Sequence, residues 1–128
     1  AGGNDRPLRV LVNQQNTPHA VLNTDSVKAV SDMLHAVVSD GTGWRAKIKG
    51  IEVAGKTGTS HRLIDGQYDQ SHRASFVGYA PWKDPKYVIL VILDAPKGNA
   101  HFGGTSAAPL FAKALERVIS FDKRNNHL

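Results

Sequence analysis

The chain has 128 residues, 41% of them hydrophobic and 21% charged, the balance of one globular domain rather than of a disordered segment or a string of domains. Without a cysteine it can hold no disulfide, cysteine-ligated zinc, iron–sulfur cluster or thiol nucleophile, and its redox compartment stays open. The formal charge of +5 favours anionic ligands. Its basic residues are scattered, however, grouped only as Arg6/Arg9, Arg45/Lys47/Lys49 and Lys123/Arg124, so nucleic acid is not expected as a partner.

Ala1 to Pro7 lack an initiator Met, and Met33 is the only methionine, so the text reads as part of a longer or processed protein. Leu8 to Val12 is a short strand-forming run, ended by the polar stretch Asn13 to Pro18. From Thr24 or Asp25 the apolar residues Val27, Val30, Met33, Leu34, Val37 and Val38 recur at helical spacing, and Gly41 stops the pattern. Gly41-Thr42-Gly43 is a turn, and Trp44 to Lys49 is polar and ambiguous. Ile51 to Ser60 is compatible with a strand, with glycines at 55 and 58 where a close backbone neighbour or ligand could sit.

A polar connection is expected from His61 to Ser71, containing Asp65-Gly66, before two further strands, Arg73 to Ala80 and Lys86 to Asp94. The second is apolar without alternation, which predicts cover on both faces. Its run from Tyr87 to Leu93 is far short of the ~18–20 residues a membrane crossing needs. Ala107 to Ile119 has Leu110, Phe111, Ala114, Leu115 and Val118 on one helical face, and Asp122 to Leu128 is expected to fray. Three consecutive strands with flanking helices predict an α+β fold, an antiparallel sheet covered by helices.

Gly50-Ile51-Glu52-Val53-Ala54-Gly55-Lys56-Thr57 matches the phosphate-loop pattern letter for letter. The surroundings argue against a nucleotide site. A phosphate cradle needs an apolar strand before its first glycine and a helix starting at the Lys. Here polar Arg45 to Lys49 precedes it, Ile51 to Ala54 is strand-forming, and Gly58 falls in the first turn of the supposed helix.

The same residues contain Lys56-Thr57-Gly58-Thr59, an active-site element of penicillin-binding proteins and serine β-lactamases. Around it stand Gly41-Thr42-Gly43, Val53-Ala54-Gly55, Ser75-Phe76-Val77-Gly78-Tyr79-Ala80-Pro81, Asp84-Pro85-Lys86, Gly103-Gly104 and Ala107-Ala108-Pro109-Leu110-Phe111. In this order and spacing, residues 1 to 118 resemble the C-terminal part of the transpeptidase domain of class B penicillin-binding proteins, the division type more than the elongation type.

The resemblance implies peptidoglycan crosslinking by serine acyl transfer on D-alanyl-D-alanine stem peptides, with β-lactams as mimics of the donor. Such a site must hold the terminal carboxylate of the peptide and stabilise an oxyanion. Lys56 would supply the positive field, Thr57 and Thr59 would donate hydroxyls to the carboxylate, and the Thr59 N–H would be an oxyanion donor. Gly58 would allow close approach, and Ser60 completes the implied substrate-binding strand. Residues 1–121 are then the C-terminal part of a transpeptidase domain and 122–128 its frayed tail.

The family also needs Ser-x-x-Lys, with the Lys one helical turn after the nucleophile, and a Ser-x-Asn loop. Ser120-Phe121-Asp122-Lys123 meets the first pattern but follows the Lys-Thr-Gly strand, and Ser-x-Asn is absent. Both elements precede this portion in the family, so the isolated chain is expected to be inactive. The implied partners are stem peptide, β-lactams, the upstream half of the domain and divisome or elongasome proteins. The implied place is the periplasm or outer face of the inner membrane, with an N-terminal anchor upstream.

Two other readings stay open, a serine β-lactamase or class A relative, which the Ala-Ala-Pro-Leu-Phe ending disfavours, and a non-enzymatic fragment that binds wall peptide or a protein partner. The six histidines show no ligand spacing with a carboxylate, so neither metal nor cofactor is expected. Trp44 and Trp82 adjoin turns, as loop anchors or as the rim of a groove.

Overall fold

A computed structural model of the chain describes residues 22–97 and 102–125. In order these form helix α1 (Thr24–Ser39), a 3-10 turn (Trp44–Ala46), strands β1 (Ala54–Ile64), β2 (Gln67–Ala80) and β3 (Tyr87–Asp94), and helix α2 (Ala107–Asn125). The expected strand Leu8–Val12 and the polar stretch after it lie outside the described residues. The strands make one antiparallel sheet in the order β1-β2-β3, the α+β meander expected. None of the described helices is long and apolar enough to cross a membrane.

The connection expected between His61 and Ser71 is instead a hairpin, because β1 runs to Ile64 and β2 starts at Gln67. Only Asp65 and Gly66 turn, with φ of 49° and 79°. Positive φ at both central positions gives a two-residue turn whose twist matches that of the strands. This arm reads as loop because it extends beyond β3, whose pairing with β2 ends at Arg73 opposite Asp94. With solvent around it, as the exposure of Leu63 and Tyr68 shows, no apolar alternation is required.

Helix α2 covers one face of the sheet. Phe111 and Leu115 are fully buried, and the Phe111 ring meets that of Phe76 on β2 at 4.8 Å and 58°. Tyr87, Ile89 and Val91 of β3 pack against the same core. Their neighbours point the other way, and Val88, Leu90 and Ile92 are 73%, 59% and 53% exposed. Among the described residues β3 is therefore covered on one face, not two. The helix also outlasts its expected end: it is continuous to Asn125, and the Tyr87 hydroxyl donates to the Asp122 carboxylate. That bond ties its last turns to β3.

Helix α1 starts where the Asn23 side chain accepts the Ser26 N–H at 2.8 Å, a conventional N-cap. Its last turn places Val38 in the core, but Val27, Val30 and Met33 are at least half exposed, so the apolar stripe is buried at one end only. The middle of the helix is held by polar and aromatic contacts. His35 lies flat on Trp82 with centroids 3.9 Å apart, Trp82 Nε1 donates to Ser31 Oγ at 2.9 Å, and that hydroxyl lies 2.8 Å from the Tyr79 hydroxyl.

Candidate active site

Lys56, Thr57, Gly58 and Thr59 lie extended in β1, opposite Val77, Phe76, Ser75 and Ala74 of β2. No helix begins at Lys56, so the phosphate-loop pattern is not a phosphate loop. Among the described residues β1 is an edge of the sheet. An edge strand keeps outward backbone groups available for pairing, as an extended peptide ligand requires.

Strand alternation puts Thr57 and Thr59 on one face and Lys56, Gly58 and Ser60 on the other. The Lys56 ammonium returns across the strand, donating to the Thr57 carbonyl at 3.0 Å and to Thr57 Oγ1 at 3.4 Å. The cation is thus brought to the threonine hydroxyl although the side chains leave the backbone on opposite sides. Ser60 is exposed on the face away from Thr57 and Thr59 and does not line the cleft beside them.

That cleft is open and about 290 Å³ in volume. Its floor is Thr57 and Thr59; its walls are Thr42, the 3-10 turn with Trp44 and Arg45, and the turn Phe102–Thr105 that enters α2. Two contacts join walls to floor. Thr42 Oγ1 lies 3.1 Å from Thr57 Oγ1, and the Gly103 N–H donates to Thr59 Oγ1 at 3.2 Å. With its oxygen accepting from Gly103, the Thr59 hydroxyl keeps its own proton to donate.

Glycine is required at 103 by distance. A Cβ there would stand 2.1 Å from the Ser75 carbonyl oxygen and 2.6 Å from that of Gly58, backbone atoms that cannot turn aside. At Gly58, where a close approach was expected, a Cβ would meet only the Ser75 hydroxyl, at 2.5 Å. Within the described residues, the tight contact therefore comes from the turn packed on the strand.

The two tryptophans divide the roles considered for them. Trp82 anchors α1, whereas Trp44 is 56% exposed at the rim of the cleft. Ser120 and Lys123 sit on the distal part of α2, where Ser120 Oγ donates to the Glu116 carbonyl at 2.7 Å, and neither lines the cleft floored by Thr57 and Thr59. Sequence reasoning assigned no role to Thr42, Arg45, Phe102 or Gly103. The glycine pair 103–104 was the one available signal, since paired glycines before a helix imply a backbone pressed against something.

The penicillin binding protein transpeptidase domain family model matches residues 1–116. The chain is 44% identical over 96 residues to stage V sporulation protein D of Bacillus subtilis, covering 74% of this chain and 15% of that protein. It is 32% identical over 125 residues to the peptidoglycan D,D-transpeptidase FtsI of Buchnera aphidicola, covering 91% of this chain and 22% of the relative. Among solved structures, penicillin binding protein 3 of Mycobacterium tuberculosis in complex with aztreonam is similar with a TM-score of 0.68 at 33% identity, covering 80% of this chain and 25% of that one. The chain thus spans about a quarter or less of the length of each of these proteins.

Proposed function

The chain belongs to the penicillin-binding-protein transpeptidase family, class B, and from that membership we propose that it supplies the Lys-Thr-Gly wall of a peptidoglycan D,D-transpeptidase. Residues 1–121 form the C-terminal part of the domain, and the serine nucleophile comes from a part of the protein outside this chain. The observation that carries the reading is the extended quartet Lys56–Thr59 on an edge strand, with an ammonium and two hydroxyls gathered beside an open cleft.

In this reading the serine attacks the penultimate D-Ala carbonyl of a stem peptide. The C–N bond to the terminal D-Ala breaks, that residue leaves as the free amine, and the acyl group passes from the serine to an amine of a neighbouring peptide. Lys56, Thr57 and Thr59 hold the terminal carboxylate. Gly58 keeps the strand slim beside it, and Ser60 extends the edge along which the peptide lies. The Thr59 N–H donates to the oxyanion, an interaction worth ~3–4 kcal/mol in comparable acyl-transfer sites. A β-lactam enters as a donor mimic and remains on the serine. The intact protein works at the outer face of the inner membrane, in the periplasm, with divisome or elongasome proteins as partners.

A fluorescent penicillin tests this. The chain alone is expected to form no covalent adduct, and the intact protein to form one. Lys56→Ala in the intact protein is expected to slow acylation about a hundredfold or more, since both a charge and its hydrogen bonds are lost. Labelling of the isolated chain, or equal rates with and without Lys56, would overturn the assignment.

A further inference from the structure

The cleft floored by Thr57 and Thr59 holds a cation of its own. Among its described lining residues none is acidic, and Arg45 is the only charged one. The guanidinium is oriented from two sides. It stacks over the Trp44 ring, with its carbon 5.2 Å from the ring centroid, and Nη1 donates to the Thr105 carbonyl at 3.3 Å. Stacking on an indole restrains an arginine without neutralising it. The fork has five N–H donors, and its planar geometry suits a carboxylate. Lys56 brings a second cation to the floor, its ammonium donating to Thr57 Oγ1 at 3.4 Å.

We propose that Arg45 is a second carboxylate-binding residue of this site: the terminal carboxylate of the donor peptide lies over the Thr57 and Thr59 hydroxyls with the Lys56 ammonium on one flank and the Arg45 guanidinium on the other. Trp44 acts through Arg45 as a positioning residue. With Phe102 also exposed at the cleft, two aromatic side chains line it beside the hydroxyls. The inference rests on the transpeptidase reading.

The test uses the intact protein and two thioester donors. One is the benzoyl-D-alanyl thioester of thioglycolate, which ends in a carboxylate; the other is the same thioester of thioglycolamide, which ends in a neutral amide. Thiol release gives kcat/KM for each. Arg45→Gln is expected to lower the preference for the charged donor by about tenfold or more, the size of one lost charge-assisted hydrogen bond, and Arg45→Lys to restore part of it. Melting temperatures of both variants are expected to stay near that of the parent.

If the parent releases thiol from neither donor and takes no penicillin, the transpeptidase reading fails and this inference with it. If the parent is active and Arg45→Gln keeps the same preference, or both variants slow the two donors equally, Arg45 is structural and the inference alone is overturned.

Discussion

The backbone N–H of Gly103 donates to the hydroxyl of Thr59 across 3.2 Å, joining the turn before α2 to the strand that carries the candidate site. The contact exists because the turn presses its backbone onto β1 and β2, leaving a Cβ at 103 only 2.1 Å from the Ser75 carbonyl oxygen. Gly103→Ala should lift the turn, costing ~1–3 kcal/mol as an overpacking substitution and releasing the Thr59 hydroxyl. A drop in melting temperature together with shifted Thr59 resonances is expected. An unchanged melting temperature would show that the turn does not pack this way.

Phe111 is the main side chain that α2 lays on the sheet, fully buried against Phe76. Phe111→Ala is expected to cost ~3–5 kcal/mol in denaturant unfolding, as buried aromatic truncations do. Phe121→Ala, on the same helix but 60% exposed, should stay within ~0.5 kcal/mol. Equal costs would contradict the orientation of α2.

The alkaline limb of stability should depend on Tyr87. The Asp122 carboxylate accepting its hydrogen bond raises the phenol's pKa above the ordinary value, and burial and the carboxylate's charge act in the same direction. A folded-state pKa above the unfolded value of about 10 means that the contribution is complete below about pH 10 and is lost as pH rises through the raised pKa. Tyr87→Phe should therefore weaken the parent below about pH 10 and lose less stability above it. Guanidinium denaturation on both sides of about pH 10 measures this. Parallel curves for parent and variant would count against the contact.

The open face of β3 should behave differently in the chain and in the intact protein. Val88, Leu90 and Ile92 form an exposed apolar row on an edge strand, a template for association. Leu90→Lys is expected to reduce light scattering by the isolated chain while changing its stability by ~0.5 kcal/mol or less. In the intact protein, for which the unbroken apolar run of β3 predicts cover on both faces, the same substitution should destabilise by ~2 kcal/mol or more, because a charge would be buried without a partner. Equal effects in both contexts would show that the face is open in the whole protein.

Lys56-Thr57-Gly58-Thr59 was legible as a strand from its own letters and neighbours. The hairpin at Asp65-Gly66 was half legible: the turn residues stood out, but strands with solvent on both faces carry no alternation to mark them. The end of α2 was misjudged because Asp122 looks like a polar tail residue until Tyr87 meets it from β3.

The two helix starts, the central strand segments and the family could be read from the letters, since helix period, turn residues and motif order are properties of neighbouring residues. What stands around Thr57 and Thr59 could not, because long-range packing assembles it. Thr42 and Arg45 come from one segment and Gly103 from another far along the chain, and their meeting at β1 depends on how α2 and its preceding turn pack on β1 and β2. The same holds for β3, whose unbroken apolar run is compatible with cover on one face or two; packing against α2 is what separates Ile89 and Val91 from Val88, Leu90 and Ile92.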